Sequence, residues 1–266
     1  MTSWLLELRQ QPTCDIDASV MSPMTFASIS DADEIKRLPL QCGDDTCPIG
    51  ELFSISKLSS KNELRLVGDL SRFHRLGMQL RSGRITIKGN VGDYAGTMMS
   101  GGEIWIAGAA GNFLAAPVDS FRSGMSGGRI VVRDSAGNHV GHRMRRGEIF
   151  IEGSAGDFVG SHQIAGTIVV AAKTGRSAAY AMRRGTLVVN QPPPLSRTRF
   201  SDPIEAFSVI SPLLGRQTKA WASANAPSQF ACKNVIQLLD QIADEGFRSM
   251  RGDFAVGGQG EILFPR

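Results

Sequence analysis

Residues 143–160 read RMRRGEIFIEGSAGDFVG: three arginines, an alternating apolar stretch, then a run of glycines. Alone, this could be a phosphate-cradling loop, a basic patch, or a purely structural unit. Its neighbours decide. SGRITIKGNVGDYAG (82–96), GGEIWIAGAAGNFLA (101–115), GGRIVVRDSAGNHVG (127–141), RGEIFIEGSAGDFVG (146–160) and AGTIVVAAKTGRSAA (165–179) align without gaps, and a truncated copy, RGTLVVN, follows at 184–190. The anchor glycines Gly83, Gly102, Gly128, Gly147, Gly166 and Gly185 stand 19, 26, 19, 19 and 19 residues apart. The long step is one insertion of about seven residues around Pro117-Val118-Asp119; fixed-period self-similarity is the signature of a repeat architecture. A degenerate copy, NELRLVGDLSRFHRLG (62–77), precedes the array, and QPPP (191–194) ends it, because proline cannot donate to a strand ladder.

One repeat is legible in physical terms. Two and four places after each anchor come Ile85/Ile87, Ile104/Ile106, Ile130/Val132, Ile149/Ile151, Ile168/Val170 and Leu187/Val189, a short strand with its branched residues on one face. Nine places after the anchor stand Gly92, Gly111, Gly137, Gly156 and Gly175, followed by Asp93, Asn112, Asn138, Asp157 and Arg176. Gly-Asx is turn chemistry, where positive φ costs little and the side chain bonds nearby backbone. Leu80, Met99, Met125, Met144, Gln163 and Met182 recur three places before an anchor; a fixed offset in every copy reads as a stacked core row rather than a soft-metal site.

Nineteen residues are too few for a βαβ unit, which needs about 30, but suffice for one rung stacked on the last at about 4.8 Å. The expected fold is therefore all-β: a right-handed parallel β-helix, a single-stranded solenoid of 19-residue rungs, with short α elements at both ends. Residues 1–60 would form an N-terminal cap, 61–191 the solenoid and 192–266 an extension. In-register stacking would pair the charges of Arg84, Glu103, Arg129 and Glu148, which alternate one place after the anchors. It would also leave Thr86, Trp105, Val131, Phe150, Val169 and Val188 as an outward row, too apolar to stay wet. Val235, Leu238, Leu239 and Ile242 lie at helical spacing in a segment ending at Gly246, and that helix is the expected cover. In the cap, WLLELRQ reads as strand, Ser30-Asp31 with Asp33 and Glu34 as a helix start ended by Pro39, and GELFSI (50–55) as a strand. Residues 192–230 read as irregular.

The 29 basic and 25 acidic side chains are unevenly spread. Residues 1–60 carry 4 basic and 9 acidic side chains, a net of −5, and residues 61–190 carry 17 and 9, a net of +8. A basic middle attracts a polyanion or an acidic partner. The candidates are Arg143, Arg145, Arg146, Lys173, Arg176, Arg183 and Arg184. Phe158 and Tyr180 read as isolated rings, so base-stacking aromatics are missing and nucleic acid is not an expected partner. Cys14, Cys42, Cys47 and Cys232 complete no zinc site and read as free thiols of a reducing compartment. WLL is broken at once by charge, so no signal peptide is expected. No run reaches the roughly 18 apolar residues of a membrane span, so a cytoplasmic protein is expected.

Catalytic motifs lose to the repeat. GMSGG (124–128) fits G-x-S-x-G, but Ser100 holds the same place one copy earlier and no strand-to-helix step follows. His139, His142 and His162 fall at offsets eleven, fourteen and fifteen from their anchors, which reads as turn histidines rather than metal ligands. Neither a catalytic residue nor a metal site is expected.

The repeated G-x-[IV]-x-[IV]…G-[DN]-x-x-G array resembles the GXGXG domain shared by the glutamate synthase large chain and the C subunit of formylmethanofuran dehydrogenase. The flanks, an acidic helix leading into RLPL and GELFSI and the tail RGDFAVGGQGEILFPR, resemble that C subunit. The resemblance implies a non-catalytic component of a formyltransferase/hydrolase complex, which moves formyl from tetrahydromethanopterin to a methanofuran-type carrier and releases formate. The implied partners are the hydrolase- or dehydrogenase-like A and B subunits and the formyltransferase D subunit. The carrier is implied for the complex, with no cofactor on this chain. The arginines would meet its polyglutamate arm. The missing iron–sulfur cysteine pattern favours the bacterial hydrolase over the archaeal dehydrogenase. The alternatives are a β-helix enzyme or binding module for an acidic polymer, and a free-standing glutamate synthase-like GXGXG protein.

Overall fold

The computed structural model describes residues 2–118, 121–206, 213, 215–220 and 232–266; Asp119 of the insertion lies outside them. The chain opens with β1 (Ser3–Leu8), β2 (Ile16–Asp17), α1 (Pro23–Phe26), α2 (Ala32–Lys36), β3 (Pro39–Cys42), β4 (Asp45–Pro48), α3 (Ile49–Leu52) and β5 (Phe53–Leu58). The repeats supply β6 (Glu63–Val67), β7 (Phe73–His74), β8 (Arg84–Lys88), β9 (Ser100–Ile106), β10 (Ser126–Val132), β11 (Arg146–Ile151), β12 (Thr167–Val170) and β13 (Thr186–Val189). Then come β14 (Ile204–Ala206), helix α4 (Lys233–Glu245), β15 (Phe247–Gly252), a 3-10 turn (Phe254–Val256) and β16 (Gly260–Pro265). Where 192–230 was expected to be irregular, β14 and a helical stretch at 215–220 form.

Successive repeats pair in parallel and in register: Ile85 opposite Ile104, Ile104 opposite Ile130, Ile130 opposite Ile149, Ile149 opposite Ile168 and Ile168 opposite Leu187. All six are fully buried in one column. The row Leu80, Met99, Met125, Met144, Gln163 and Met182 is likewise fully buried, so the methionines pack in the core. Gln163 breaks that row; its amide nitrogen donates to the Gly166 carbonyl at 2.8 Å.

The single-stranded parallel β-helix is overturned by the topology. The repeats belong to one twelve-stranded mixed sheet, ordered β14-β15-β16-β13-β12-β11-β10-β9-β8-β6-β1-β5, with antiparallel pairs β1/β5, β15/β16 and β14/β15. A second sheet of four strands, β4-β3-β2-β7, stands beside it. The reason lies at the ends of the array. A stack of parallel repeats presents two open edges of unpaired N–H and C=O groups. The terminal segments extend both edges, β1 and β16 in parallel and then β5 and β15 antiparallel, which a 19-residue period cannot announce.

The charged row pairs as its alternation demands. Arg84 donates to Glu103 at 2.9 and 3.1 Å, and Arg129 grips Glu148 through two nitrogens. The outward row is dry: Trp105, Val131, Phe150, Val169 and Val188 pack with Val235, Leu238, Leu239 and Ile242 of α4. Four buried aliphatic side chains contribute about 1.5–3 kcal/mol each, so the helix is held mainly by this contact. Its N-terminal residue Cys232 gives no side-chain cap. A carboxylate from the array does so instead: Glu152 accepts from the Asn234 and Val235 N–H groups, both at 2.9 Å.

Two local expectations are corrected. The anchor glycines do adopt positive φ, Gly147 at 102°, but the glycines of the Gly-Asx pairs do not. They are glycine because of close approach: a Cβ on Gly156 would lie 2.3 Å from Asn138 Oδ1. That oxygen accepts from the Asp157 N–H at 2.7 Å, and Asn112 and Asp157 repeat the bond to the next copy. The Asx row thus ties copy to copy rather than closing its own turn. Cysteine chemistry also departs from the four free thiols expected, because Cys14 and Cys42 form a disulfide, while Cys47 and Cys232 are in no disulfide. Pairing of β2 with β3 sets Ile16 opposite Cys42, a proximity across 28 residues that spacing does not encode.

Candidate functional site: an arginine cleft

The repeat generates surface columns as it generates core columns. Fifteen places after the anchors Gly128, Gly147 and Gly166 come Arg143, His162 and Ala181, with φ of 55°, 55° and 53°. Each turn hangs on the next: the Arg143 N–H donates to the Ser161 carbonyl at 2.9 Å, and the His162 N–H to the Tyr180 carbonyl at 2.7 Å. Two places on come Arg145, Ile164 and Arg183, whose N–H groups donate to the Met125, Met144 and Gln163 carbonyls, each at 2.8 Å. The two columns form a grid three copies high, so Arg145 and Arg183 stand about 10 Å apart. Arg122, from the inserted loop, and Val256, from the 3-10 turn, close the sides of a cleft of about 490 Å³.

The cleft is strongly positive. Among the described residues, none of Arg122, Arg143, Arg145 and Arg183 makes an ion pair. Burial first, then Arg143 and Arg183, push the His162 pKa below its ordinary value. His142 behind it is pushed to about 4 by burial, then by His162, Arg143 and His139. Its Nδ1 lies 2.7 Å from Ser161 Oγ. Such a site attracts an anion with several negative groups, and among the described residues it offers neither a paired acid and base nor a nucleophile with an oriented base facing the opening.

Of the seven residues expected to bind a polyanion, the fold gathers Arg143, Arg145 and Arg183. Arg146 and Arg184 are exposed but do not line the cleft. Each follows a lining residue directly, and extended chain presents neighbours to opposite sides. Lys173 and Arg176 sit at the Gly-Asx corner, where the Arg176 N–H bonds Asp157. Arg122, His162 and Val256 were missed. The offset shared by His162 and Arg143 was the available signal; Arg122 and Val256 have no counterpart in the repeat.

The histidines are not scattered. Offsets of eleven, fourteen and fifteen are neighbouring places on one turn, so His139 and His142 lie 5.8 Å apart and His142 and His162 5.2 Å apart, ring centre to ring centre. Among the described residues no three His, Cys, Asp or Glu side chains are placed to hold a metal ion. Nor is Phe158 isolated. Tyr94, Phe113, His139 and Phe158, all at offset eleven, stack face to face at 4.7, 4.8 and 4.9 Å. Tyr180 packs edge-on against Phe158 and His162 and under the Arg199 guanidinium. These rings face one another within the stack rather than offering free faces to bases. No helix among the described residues is long and apolar enough to cross a membrane.

Comparison with known proteins agrees with this repeat and with the flanks. The chain is 29% identical over 100 residues to the C subunit of the tungsten-containing formylmethanofuran dehydrogenase 2 of Methanothermobacter marburgensis, covering 36% of this chain and 37% of that protein. It is 37% identical over 78 residues to the C subunit of the molybdenum-containing formylmethanofuran dehydrogenase 1 of the same organism, covering 29% and 19%. The aligned stretches thus span between about a fifth and little more than a third of these relatives. The likeness to a chain of the formyltransferase/hydrolase complex FhcABCD from Methylorubrum extorquens, solved in complex with methylofuran, runs end to end. There the TM-score is 0.79 at 29% identity, over 98% of this chain and 99% of that one. The GXGXG motif family matches residues 60–202, more than half of the chain, and the protein belongs to that family.

Proposed function

We propose that this chain is the non-catalytic C subunit of a formylmethanofuran dehydrogenase-like formyltransferase/hydrolase complex in one-carbon metabolism. The reading rests on the end-to-end likeness to a chain of such a complex, far longer than the curated sequence matches. In it the chain scaffolds the catalytic subunits, residues 61–191 forming a stiff array between the caps 1–60 and 192–266. The arginine cleft holds the anionic arm of a methanofuran-type carrier. A polyglutamate arm carries repeated carboxylates, and Arg143, Arg145 and Arg183 offer charge-assisted bonds to them.

The test uses the assembled complex. With Arg145→Ala and Arg183→Ala, the KM for carrier should rise roughly tenfold per arginine, kcat should hold, and the salt dependence of KM should flatten as charges are removed. Unchanged KM and salt dependence in an intact complex would refute carrier binding at the cleft. Formyl transfer by the isolated chain would refute the non-catalytic role.

A further inference from the structure

Half of the well-exposed large hydrophobic side chains among the described residues lie around the cleft. Eight large hydrophobic side chains among the described residues are well exposed, and four of them, Phe121, Tyr180, Phe254 and Val256, belong to segments that wall it. Phe121 precedes Arg122 on the inserted loop, Tyr180 precedes Ala181, and Phe254 shares the 3-10 turn with Val256. The long apolar row on the array is already closed by α4, whereas these four rim side chains are left exposed among the described residues.

The rim is also held rigidly. Asp253 is fully buried, pairs with Arg199 through two bonds, and accepts from the Ala181 N–H at 2.9 Å and the Ala255 N–H at 3.0 Å. Arg199 in turn lies 4.3 Å over the Tyr180 ring. The Phe254 turn is thereby fixed to the array, and a pre-organised surface loses little entropy on association. Exposed aromatic side chains beside unpaired arginines are the composition of interface hot spots; a bare polyanion needs only the arginines.

We propose that the rim of the arginine cleft is the docking surface for another member of the same complex, through an acidic segment that sets apolar side chains against Phe121 and Phe254 and a carboxylate over Arg122, leaving Arg143, Arg145 and Arg183 to the anion in the cleft. This rests on the reading of the chain as one component of a larger complex. On that geometry the docked partner forms the open wall of the cleft and encloses whatever anion lies in it.

The experiment co-expresses the chain with the other three subunits and purifies the assembly through a tag on one of them. Phe121→Ser and Phe254→Ser are exposed changes and should leave the melting temperature of the isolated chain unchanged. Together they should lower recovery of this chain with the assembly at least about tenfold, and Phe254→Leu should restore it. Full recovery of the folded double variant would overturn the proposal. So would light scattering in which the isolated wild type dimerises and the double variant does not, because the rim would then join two copies through the acidic head of one. Failure of the wild type itself to co-purify would overturn its place in the complex instead, and this proposal with it.

Discussion

Removing one carboxylate in the array should loosen a helix more than 80 residues away. Glu152 is 6% exposed and accepts the first free N–H groups of α4, from Asn234 and Val235, at 2.9 Å each. No side chain of α4's own N-terminus does so. Hydrogen bonds to a charged acceptor contribute about 1.5–3 kcal/mol each, and the charge also favours the positive end of the helix. Truncation to alanine lets water reach one of the freed groups, so the expected cost of Glu152→Ala is about 3 kcal/mol rather than the full sum. Burial of Val235, Leu238, Leu239 and Ile242 outweighs that figure. The helix should therefore stay docked while its first turn frays. Hydrogen exchange should show roughly 100-fold less protection at the start of α4 and an unchanged second half, with a melting temperature lower by about 6–12 °C. Glu152→Gln keeps one acceptor and should cost about half. A melting temperature within about 1 °C of wild type and unchanged exchange in the first turn would refute the idea that Glu152 is the cap.

Two further outcomes follow from local chemistry. The Cys14–Cys42 bond closes a 28-residue separation, for which loop-closure entropy gives about 3.5 kcal/mol; Cys14→Ser with Cys42→Ser should lower the urea midpoint accordingly, and a reductant should lower the wild-type midpoint but not the variant's. His142 is held neutral, its pKa pushed to about 4 by burial and the cations around it, whereas an unfolded histidine titrates near 6.5. The unfolded chain thus takes up a proton that the folded chain refuses. The stability is fully present above about pH 6.5 and lost as pH falls towards 4, with His139 and His162 acting in the same direction. Urea midpoints between pH 7 and 5 should fall less steeply in His142→Asn; equal slopes would count against the argument.

The sequence by itself determined most of what repeats, though not the ring stack at offset eleven or the copy-to-copy Asx bonds. The period, the core columns from Ile85 to Leu187, the buried methionine row, the Arg84–Glu103 and Arg129–Glu148 pairs, and the need to cover Trp105 to Val188 all follow from one residue type recurring at one offset. Each copy is held by the same bonds to the next, so local pattern and tertiary contact carry the same information. The family resemblance was legible for the same reason. Only the tertiary structure decided what happens where periodicity stops. The edges of the array accept parallel strands from the termini, β1 and β16, and these in turn pair with antiparallel β5 and β15, so a mixed sheet forms in place of a β-helix. Cys14 meets Cys42 because β2 pairs β3, and Glu152 becomes a cap because α4 folds back over it. The site divides along the same line. Arg143, His162 and Arg183 lie in columns that the offsets already draw, whereas Arg122, Phe254 and Val256 reach the cleft on an insertion and on the tail, whose positions are set by packing against the array and by no period.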